Sequence, residues 1–168
     1  NALLFVCIHE GYGRELQADH SEEEKMSLPG LTLVIGGAAS GKSAQAEALV
    51  RGQAGQRVYI ATAQAFDDEM RAKITAHQKM RAGDGWRTIE APFDVVGALS
   101  GLGADDVVLL DCATFWLTNV ILAERDWQAE ADLLIAALLS SAAKVVVVSN
   151  ETGQGIVPEN ALARTFRE

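Results

Sequence analysis

The sequence Leu-Thr-Leu-Val-Ile-Gly-Gly-Ala-Ala-Ser-Gly-Lys-Ser, residues 31–43, contains the pattern that predicts the fold. Leu31–Ile35 is a short apolar run, which is typical of a buried strand. The residues after it match G-x-x-x-x-G-K-[ST], a loop between a strand and a helix whose backbone N–H groups surround an anion. Lys42 would add a positive charge for the outer phosphates, and the Ser43 hydroxyl would bind Mg²⁺. The segment therefore predicts a phosphate-binding loop.

Short apolar runs and helical patterns alternate from this segment onward. The predicted strands are Leu31–Ile35, Arg57–Thr62, Trp86–Glu90, Val107–Asp111 and Lys144–Ser149, and the predicted helices are Lys42–Gly52, Phe66–Arg81, Phe93–Leu99 and Trp127–Leu139. The strands are rich in Val, Ile and Leu without polar alternation, which indicates that both faces of the sheet are covered. We therefore expect an α/β fold of the P-loop NTPase-like (RecA-like) kind, with a mostly parallel sheet and helices on both faces.

The two ends of the chain differ from this pattern. Residues 1–30 are acid-rich and lack clear periodicity, so we expect an N-terminal extension outside the core and one domain over residues 31–168. The apolar run Ala2–Ile8 leaves open an extra strand. At the other end, Pro158 suits the first turn of a helix that continues to Glu168 without a stop signal. We therefore expect the chain to stop partway through a helix, as a fragment would.

The composition excludes several classes of protein. The 168 residues include 14 Lys and Arg against 23 Asp and Glu, a net charge of −9, which argues against non-specific binding of nucleic acids. An apolar run of about 18 residues, which a membrane helix needs, is absent from the sequence. Cys7 and Cys112 form neither a disulfide framework nor a metal-binding spacing with the three histidines. A protein of the reducing cytoplasm is expected.

Further motifs narrow the chemistry. Asp111 ends a predicted strand at the edge where such sheets bind ligands, so it is a candidate second ligand of Mg²⁺ beside Ser43. The base-reading Asn-Lys-x-Asp motif of regulatory GTPases is replaced by Asn150-Glu151-Thr152-Gly153, and an ABC-type signature is missing. A small-molecule kinase or a nucleotidyltransferase remains. His77 follows the second strand of the domain and could attack phosphorus, although such a histidine is more often a solvated surface residue.

Several motifs in order resemble the bifunctional adenosylcobinamide kinase/adenosylcobinamide-phosphate guanylyltransferase family of cobalamin biosynthesis. The resemblance covers residues 31–168. Beyond the phosphate-binding loop it rests on Ala61-Thr62, Asp68-Glu69-Met70, His77, residues 86–92 (WRTIEAP), residues 111–119 (DCATFWLTN) and residues 149–160 (SNETGQGIVPEN), with Arg164 and Phe166-Arg167 behind them.

This resemblance implies a transferase with two reactions. Such an enzyme phosphorylates adenosylcobinamide with ATP or GTP and then transfers GMP from GTP to adenosylcobinamide phosphate, giving adenosylcobinamide-GDP. It implies that Lys42 acts in catalysis, that His77 becomes guanylylated, and that the protein is a homo-oligomer with Mg²⁺ and a corrinoid substrate. The implied nucleotide contacts are Gly36, Gly37, Ala38, Ala39, Ser40, Gly41, Lys42, Ser43, Ala61, Thr62, Ala63, Gln78, Lys79, Met80, Arg81, Glu90 and Asp111.

The chain departs from the family at two of these positions, and the resemblance also implies that the domain lacks the family's C-terminal helix and strand. Ala39 replaces an arginine common in the family loop, and Asp111 stands where some members have a glutamate. Two other functions stay open: a module that senses the GTP or GDP state, with a structural His77, and a kinase that acts on another small alcohol. Trp86, Phe115 and Trp116 are candidates for a corrinoid surface, although core packing is the expected role of each.

Overall fold

The computed structural model of the protein describes residues 3–8, 28–37, 39–64, 75, 79, 81 and 83–152. The strands within these ranges are β1 (Leu3–Ile8), β2 (Leu31–Gly36), β3 (Gln56–Ala61), β4 (Trp86–Glu90), β5 (Asp106–Asp111) and β6 (Lys144–Asn150). The helices are α1 (Lys42–Arg51), α2 (Val95–Ser100), α3 (Ala113–Leu122) and α4 (Trp127–Ser140).

The six strands form one sheet in the order β1-β2-β6-β5-β3-β4, and every neighbouring pair is parallel. Parallel strands with helical connections are the arrangement expected of an α/β fold. The register aligns the carboxyl ends of the strands. Ala61, for example, pairs with Glu90 on one side and with Asp111 on the other. This alignment collects the last residues of all the strands at one edge.

Both faces of the sheet are covered, as the apolar runs predicted. Alternate residues of β5 point to opposite faces: Val108 and Leu110 belong to one buried cluster, and Val107 and Leu109 belong to the other. The first cluster includes side chains from α2, α3 and α4, and the second includes Ala46 and Val50 of α1. The predicted α/β class, with helices on both faces of a parallel sheet, is confirmed.

The predicted strands all form, each within one residue of its expected bounds. The helix expected over Phe66–Arg81 falls mostly outside the described residues, although Thr75, Lys79 and Arg81 are helical. The helix expected from Pro158 lies outside them altogether. Helix α3 was not predicted, because its residues are almost uniformly apolar and it begins at an unusual cap. The Sγ atom of Cys112 accepts the N–H of Phe115 at 3.4 Å there.

The beginning of the chain contributes more than the sequence led us to expect. Leu3–Ile8 forms the extra strand that the apolar run left open, and it pairs with β2 along its whole length. Leu28 is 4% exposed and lies in the cluster beside α1, with its N–H donated to Gln53 Oε1 at 3.2 Å. Leu3–Ile8 is therefore paired with the sheet, and Leu28 is packed in the core. The division of the chain at residue 30 stays a prediction.

Buried polar groups tie the end of β3 to the end of β5. Thr62 is fully buried, and its hydroxyl donates to the Cys112 carbonyl and accepts the Cys112 N–H, both at 2.8 Å. The Nδ2 atom of Asn119 on α3 donates to the carbonyls of Thr62 and Pro92 at 2.8 and 2.9 Å. Because backbone groups left unpaired in a core are destabilising, these contacts hold the strand ends in a fixed relation.

None of the helices in the described ranges has the length and apolar character needed to cross a membrane.

The centre of the sheet predicts a difference in stability between two Leu→Ala substitutions. Leu110 is fully buried on β5, whereas Leu133 is 60% exposed on α4. Leu110→Ala should lower the free energy of unfolding by about 2–5 kcal/mol, because it removes buried apolar area and leaves a cavity. Leu133→Ala should change it by about 0.5 kcal/mol or less. Urea unfolding of both variants checks this, and equal losses would contradict the described core.

Candidate active site

The carboxyl edge of the sheet collects the polar residues singled out by the sequence. Gly36 ends β2 beside Asn150 of β6, and Asp111, Ala61 and Glu90 lie side by side at the ends of β5, β3 and β4. Ligands of open parallel sheets bind outside this edge. The predicted site residues of four different chain segments therefore meet in one region.

The loop between β2 and α1 has the geometry of an anion site. Gly41 has a φ of 85°, a left-handed conformation that favours glycine, and it directly precedes α1. Among the described residues no side chain caps this helix end, so its first N–H groups would suit a bound anion. The Lys42 ammonium reaches back over the loop and donates to the Gly37 carbonyl at 3.0 Å. The Lys42 charge thus lies beside the start of α1, and anion binding by this loop stays a prediction.

The Ser40 hydroxyl of this loop is buried and has no hydrogen-bond partner among the described residues. A buried polar atom in a native structure is nearly always paired with protein, water or ligand. A phosphate oxygen held by the loop would supply the missing partner. The orphaned hydroxyl therefore fits a loop built to hold a ligand.

Asp111 and Ser43 lie near each other across the edge. The Ser43 side chain, in the first turn of α1, is close enough to the Asp111 carboxylate to favour its charged form. Tyr59 of β3 donates its hydroxyl to Asp111 Oδ2 at 3.0 Å. Burial raises the pKa of the Asp111 carboxyl above its usual range, while the Tyr59 hydrogen bond, the charge of Arg81 and the nearby Ser43 side chain act in the opposite direction. The two predicted metal ligands are thus adjacent.

Tyr59 and Arg81 lie beneath this pair. Tyr59 is 6% exposed, and burial together with the nearby Asp111 charge raises the pKa of its phenol. The guanidinium of Arg81 stacks on the Tyr59 ring, with 3.4 Å between its central carbon and the ring centroid. Arg81 Nε also pairs with Glu47 Oε1 of α1 at 3.3 Å. The contacts that the structure describes for Arg81 are therefore internal to the protein.

The remaining residues predicted to contact the nucleotide differ in how exposed they are. Gly36 is buried at the end of β2, Ala61 and Ala63 are half-buried, and Ala39, Lys79 and Glu90 are exposed. His77, Gln78, Met80 and Ala38 lie outside the described residues. The N–H, the carbonyl and the hydroxyl of Thr62 all have protein partners, at distances of 2.8–3.4 Å.

The aromatic candidates for a corrinoid surface separate into two kinds. Trp86 and Trp116 are 7% and 4% exposed and lie in the two buried clusters, so core packing is their role. Trp86 packs edge-to-face with Tyr59, and Trp116 donates its indole N–H to the Phe93 carbonyl at 3.0 Å. Phe115 is 40% exposed and stays a candidate for ligand contact.

Sequence reasoning missed Glu47 and Tyr59. Glu47 follows Ser43 by four residues, which places both on one side of α1, but an acid within an amphipathic helix is ordinarily a solvated residue. Tyr59 lies inside a run that predicted an apolar buried strand, and nothing in the run distinguishes its hydroxyl. The one available signal was its position two residues before the strand end, on the same side as Ala61.

The donor set fits Mg²⁺ rather than a metal held by protein alone. Ser43 and Asp111 offer adjacent hard oxygen ligands next to an anion-binding loop. Within the described part of the chain, three or more His, Cys, Asp or Glu side chains never cluster in a way that could hold a metal. Mg²⁺ is typically bound by one or two protein oxygens, with phosphates and waters completing its shell. The residues present therefore fit a magnesium–phosphate complex.

Comparison with known proteins identifies the relatives of this chain. It is 45% identical over 154 residues to the bifunctional adenosylcobalamin biosynthesis protein CobU of Salmonella typhimurium, and the match covers 82% of this chain and 84% of that protein. The protein of the same name from Escherichia coli is 44% identical with the same coverage. The bifunctional adenosylcobalamin biosynthesis protein CobP of Pseudomonas aeruginosa is 40% identical over 137 residues, 80% of this chain and 79% of that protein.

Residues 32–168 match the family described as cobinamide kinase / cobinamide phosphate guanyltransferase. The matched range begins inside β2 and includes the phosphate-binding loop, Asp111 and His77. The chain belongs to the cobinamide kinase / cobinamide phosphate guanyltransferase family.

Proposed function

We propose that this protein phosphorylates adenosylcobinamide and then transfers GMP from GTP to adenosylcobinamide phosphate, giving adenosylcobinamide-GDP. The proximity of Ser43 and Asp111 beside the start of α1 carries this proposal, because it would join a magnesium site to an anion site. Family membership supplies the corrinoid substrate and the pair of reactions. Neither a state-sensing module nor a kinase for another alcohol is favoured by a specific observation.

In the kinase reaction, the loop and Lys42 would hold the triphosphate while the substrate alcohol attacks the γ-phosphorus in line. The bond from that phosphorus to the β–γ bridging oxygen breaks, and the nucleoside diphosphate leaves. Ser43 and Asp111 would hold Mg²⁺, which neutralises charge on the β- and γ-phosphates when bound. Lys42 already lies over the loop, so its ammonium is positioned for the charge that develops on the transferred group.

In the transferase reaction, an imidazole nitrogen of His77 would attack the α-phosphorus of GTP, and pyrophosphate would leave. A phosphate oxygen of adenosylcobinamide phosphate then attacks the same phosphorus and releases the histidine. A neutral imidazole suits the first step because its ordinary pKa of about 6.5 leaves it largely unprotonated at neutral pH. This role of His77 rests on the sequence and the family, since residue 77 lies outside the described residues.

The remaining assignments are proposals of the same kind. Direct nucleotide contact is proposed for Gly36–Ser43, Ala61, Ala63, Gln78–Met80, Glu90 and Asp111. We give Thr62 a positioning role instead, because each of its polar atoms already has a protein partner. The homo-oligomer implied by the resemblance is also proposed, and analytical ultracentrifugation measures it directly.

His77→Asn should abolish the covalent intermediate without removing the kinase site. With GTP labelled at the α-phosphate, the wild-type protein should acquire an acid-labile label, and His77→Asn should acquire none because it lacks the nucleophile. Transfer of the γ-phosphate of labelled ATP to adenosylcobinamide should persist in this variant. His20→Asn is the matched control and should keep the label. A label that survives His77→Asn would contradict the proposed intermediate.

Asp111→Asn and Asp111→Glu test the proposed metal ligand. Asp111→Asn should lower kinase turnover by about 100-fold, because an amide oxygen lacks the negative charge that attracts Mg²⁺. Asp111→Glu restores that charge and matches the residue found in some relatives, so it should retain at least about a tenth of the activity. The measurement is turnover against magnesium concentration. Equal losses in the two variants would count against ligation by this carboxylate.

A further inference from the structure

The contacts beneath the proposed metal ligands form a continuous chain of side chains. Asp111 Oδ2 accepts the Tyr59 hydroxyl at 3.0 Å, Arg81 stacks on the Tyr59 ring at 3.4 Å, and Arg81 Nε meets Glu47 Oε1 at 3.3 Å. Glu47 lies one helical turn after Ser43, and the Ser43 side chain lies near Asp111. We refer to Tyr59, Arg81 and Glu47 together as the anchoring chain.

The anchoring chain is mostly buried, which makes its geometry restrictive. The side chain of Arg81 is 9% exposed and that of Glu47 is 26% exposed. A guanidinium removed from water must have a close partner, and Arg81 has both a carboxylate and an aromatic face. Removing one partner of such a pair is destabilising, so Tyr59 and Glu47 hold Arg81 in place and Arg81 in turn holds the Tyr59 ring.

We propose that Tyr59, Arg81 and Glu47 are positioning residues, which hold the Asp111 carboxylate against Ser43 in the orientation that binds the metal of a metal–nucleotide complex. The inference rests on the proposed function for the identity of the nucleotide. It assigns Arg81 a contact with Tyr59 and Glu47 in place of the direct nucleotide contact that the family resemblance implied. Partners behind a metal ligand commonly change metal affinity or activity by about 10-fold to 100-fold.

The two roles of Arg81 predict different dependence on metal. If Arg81 bound the nucleotide directly, its loss would weaken nucleotide binding with and without Mg²⁺. If the anchoring chain orients Asp111, only the additional affinity that Mg²⁺ gives should fall. Comparing GTP affinity without Mg²⁺ and with Mg²⁺ therefore separates the two roles. A purely structural contribution would not change one of these two affinities more than the other.

Tyr59→Phe and Glu47→Gln are the principal variants. Tyr59→Phe keeps the aromatic face under Arg81 and removes only the hydroxyl on Asp111, while Glu47→Gln keeps a hydrogen-bond acceptor and removes the charge. Arg51→Gln is the matched control, because Arg51 also lies near Glu47, at 3.8 Å, but is exposed. Urea unfolding of each variant shows whether it folds. If Tyr59→Phe does not fold, Glu47→Gln keeps the test available, because Glu47 is the most exposed residue of the anchoring chain.

The experiment is calorimetric titration of GTP into the full chain under two conditions. One titration contains about 5 mM Mg²⁺, which we take as saturating, and the other contains a chelator instead of Mg²⁺. In the wild type, Mg²⁺ should raise the affinity for GTP. We expect Tyr59→Phe and Glu47→Gln each to reduce this increase by about 10-fold and to leave the affinity for GTP without metal within about twofold of the wild type. The double variant should lose less than the product of the single losses, because the residues act through one chain. Arg51→Gln should match the wild type.

Two results would overturn the proposal. One is an equal loss of metal-free and metal-dependent affinity, which would indicate direct nucleotide contact. The other is an unchanged effect of Mg²⁺ in both principal variants. A wild-type protein that binds GTP with Mg²⁺ but transfers nothing to a corrinoid would refute the proposed function instead, and the binding comparison would still test the anchoring chain.

Discussion

The close approach of the Ser43 side chain to the Asp111 carboxylate joins the two halves of the candidate site. Ser43 starts the helix behind the phosphate-binding loop, and Asp111 ends the central strand β5. Burial alone disfavours an ionised carboxyl at this position, so the surrounding donors are needed to keep it useful as a ligand. The parallel register supplies them, because it aligns the ends of β3 and β5. The rest of the site depends on this alignment.

Much of the fold followed from local patterns. The strand–loop–helix motif located β2 and α1, and apolar runs located β3 to β6, since periodicity and turn residues act over a few positions. Helix α3 was not predicted because its residues are mostly apolar and its cap is a cysteine, Cys112. The strand Leu3–Ile8 could not be assigned, because pairing of an edge strand depends on a partner distant in sequence.

The candidate site likewise contains residues that the sequence predicted and contacts that it could not predict. Lys42, Ser43 and Asp111 were predicted because their motif or strand position carries a chemical reason. The internal contacts of Arg81 and Thr62 could not be predicted, since a side chain's partners on other elements are set by tertiary packing. Arg81 contacts Glu47 from 34 positions away, and Thr62 contacts Cys112 from 50 positions away. Local patterns thus located the chemistry, and the packing determined which residues support it.

The ammonium of Lys42 has a further physical consequence through its bond to the Gly37 carbonyl. A flexible lysine ordinarily loses rotamer freedom when a ligand captures it, an entropic penalty of up to about 2 kcal/mol. Here the side chain is already restrained over the loop, so much of that ordering precedes the arrival of a nucleotide. Association then amounts to an exchange of oxygen partners, from a peptide carbonyl to a charged phosphate. Nucleotides too short to reach the ammonium would forgo this exchange and leave the lysine bound to its own loop.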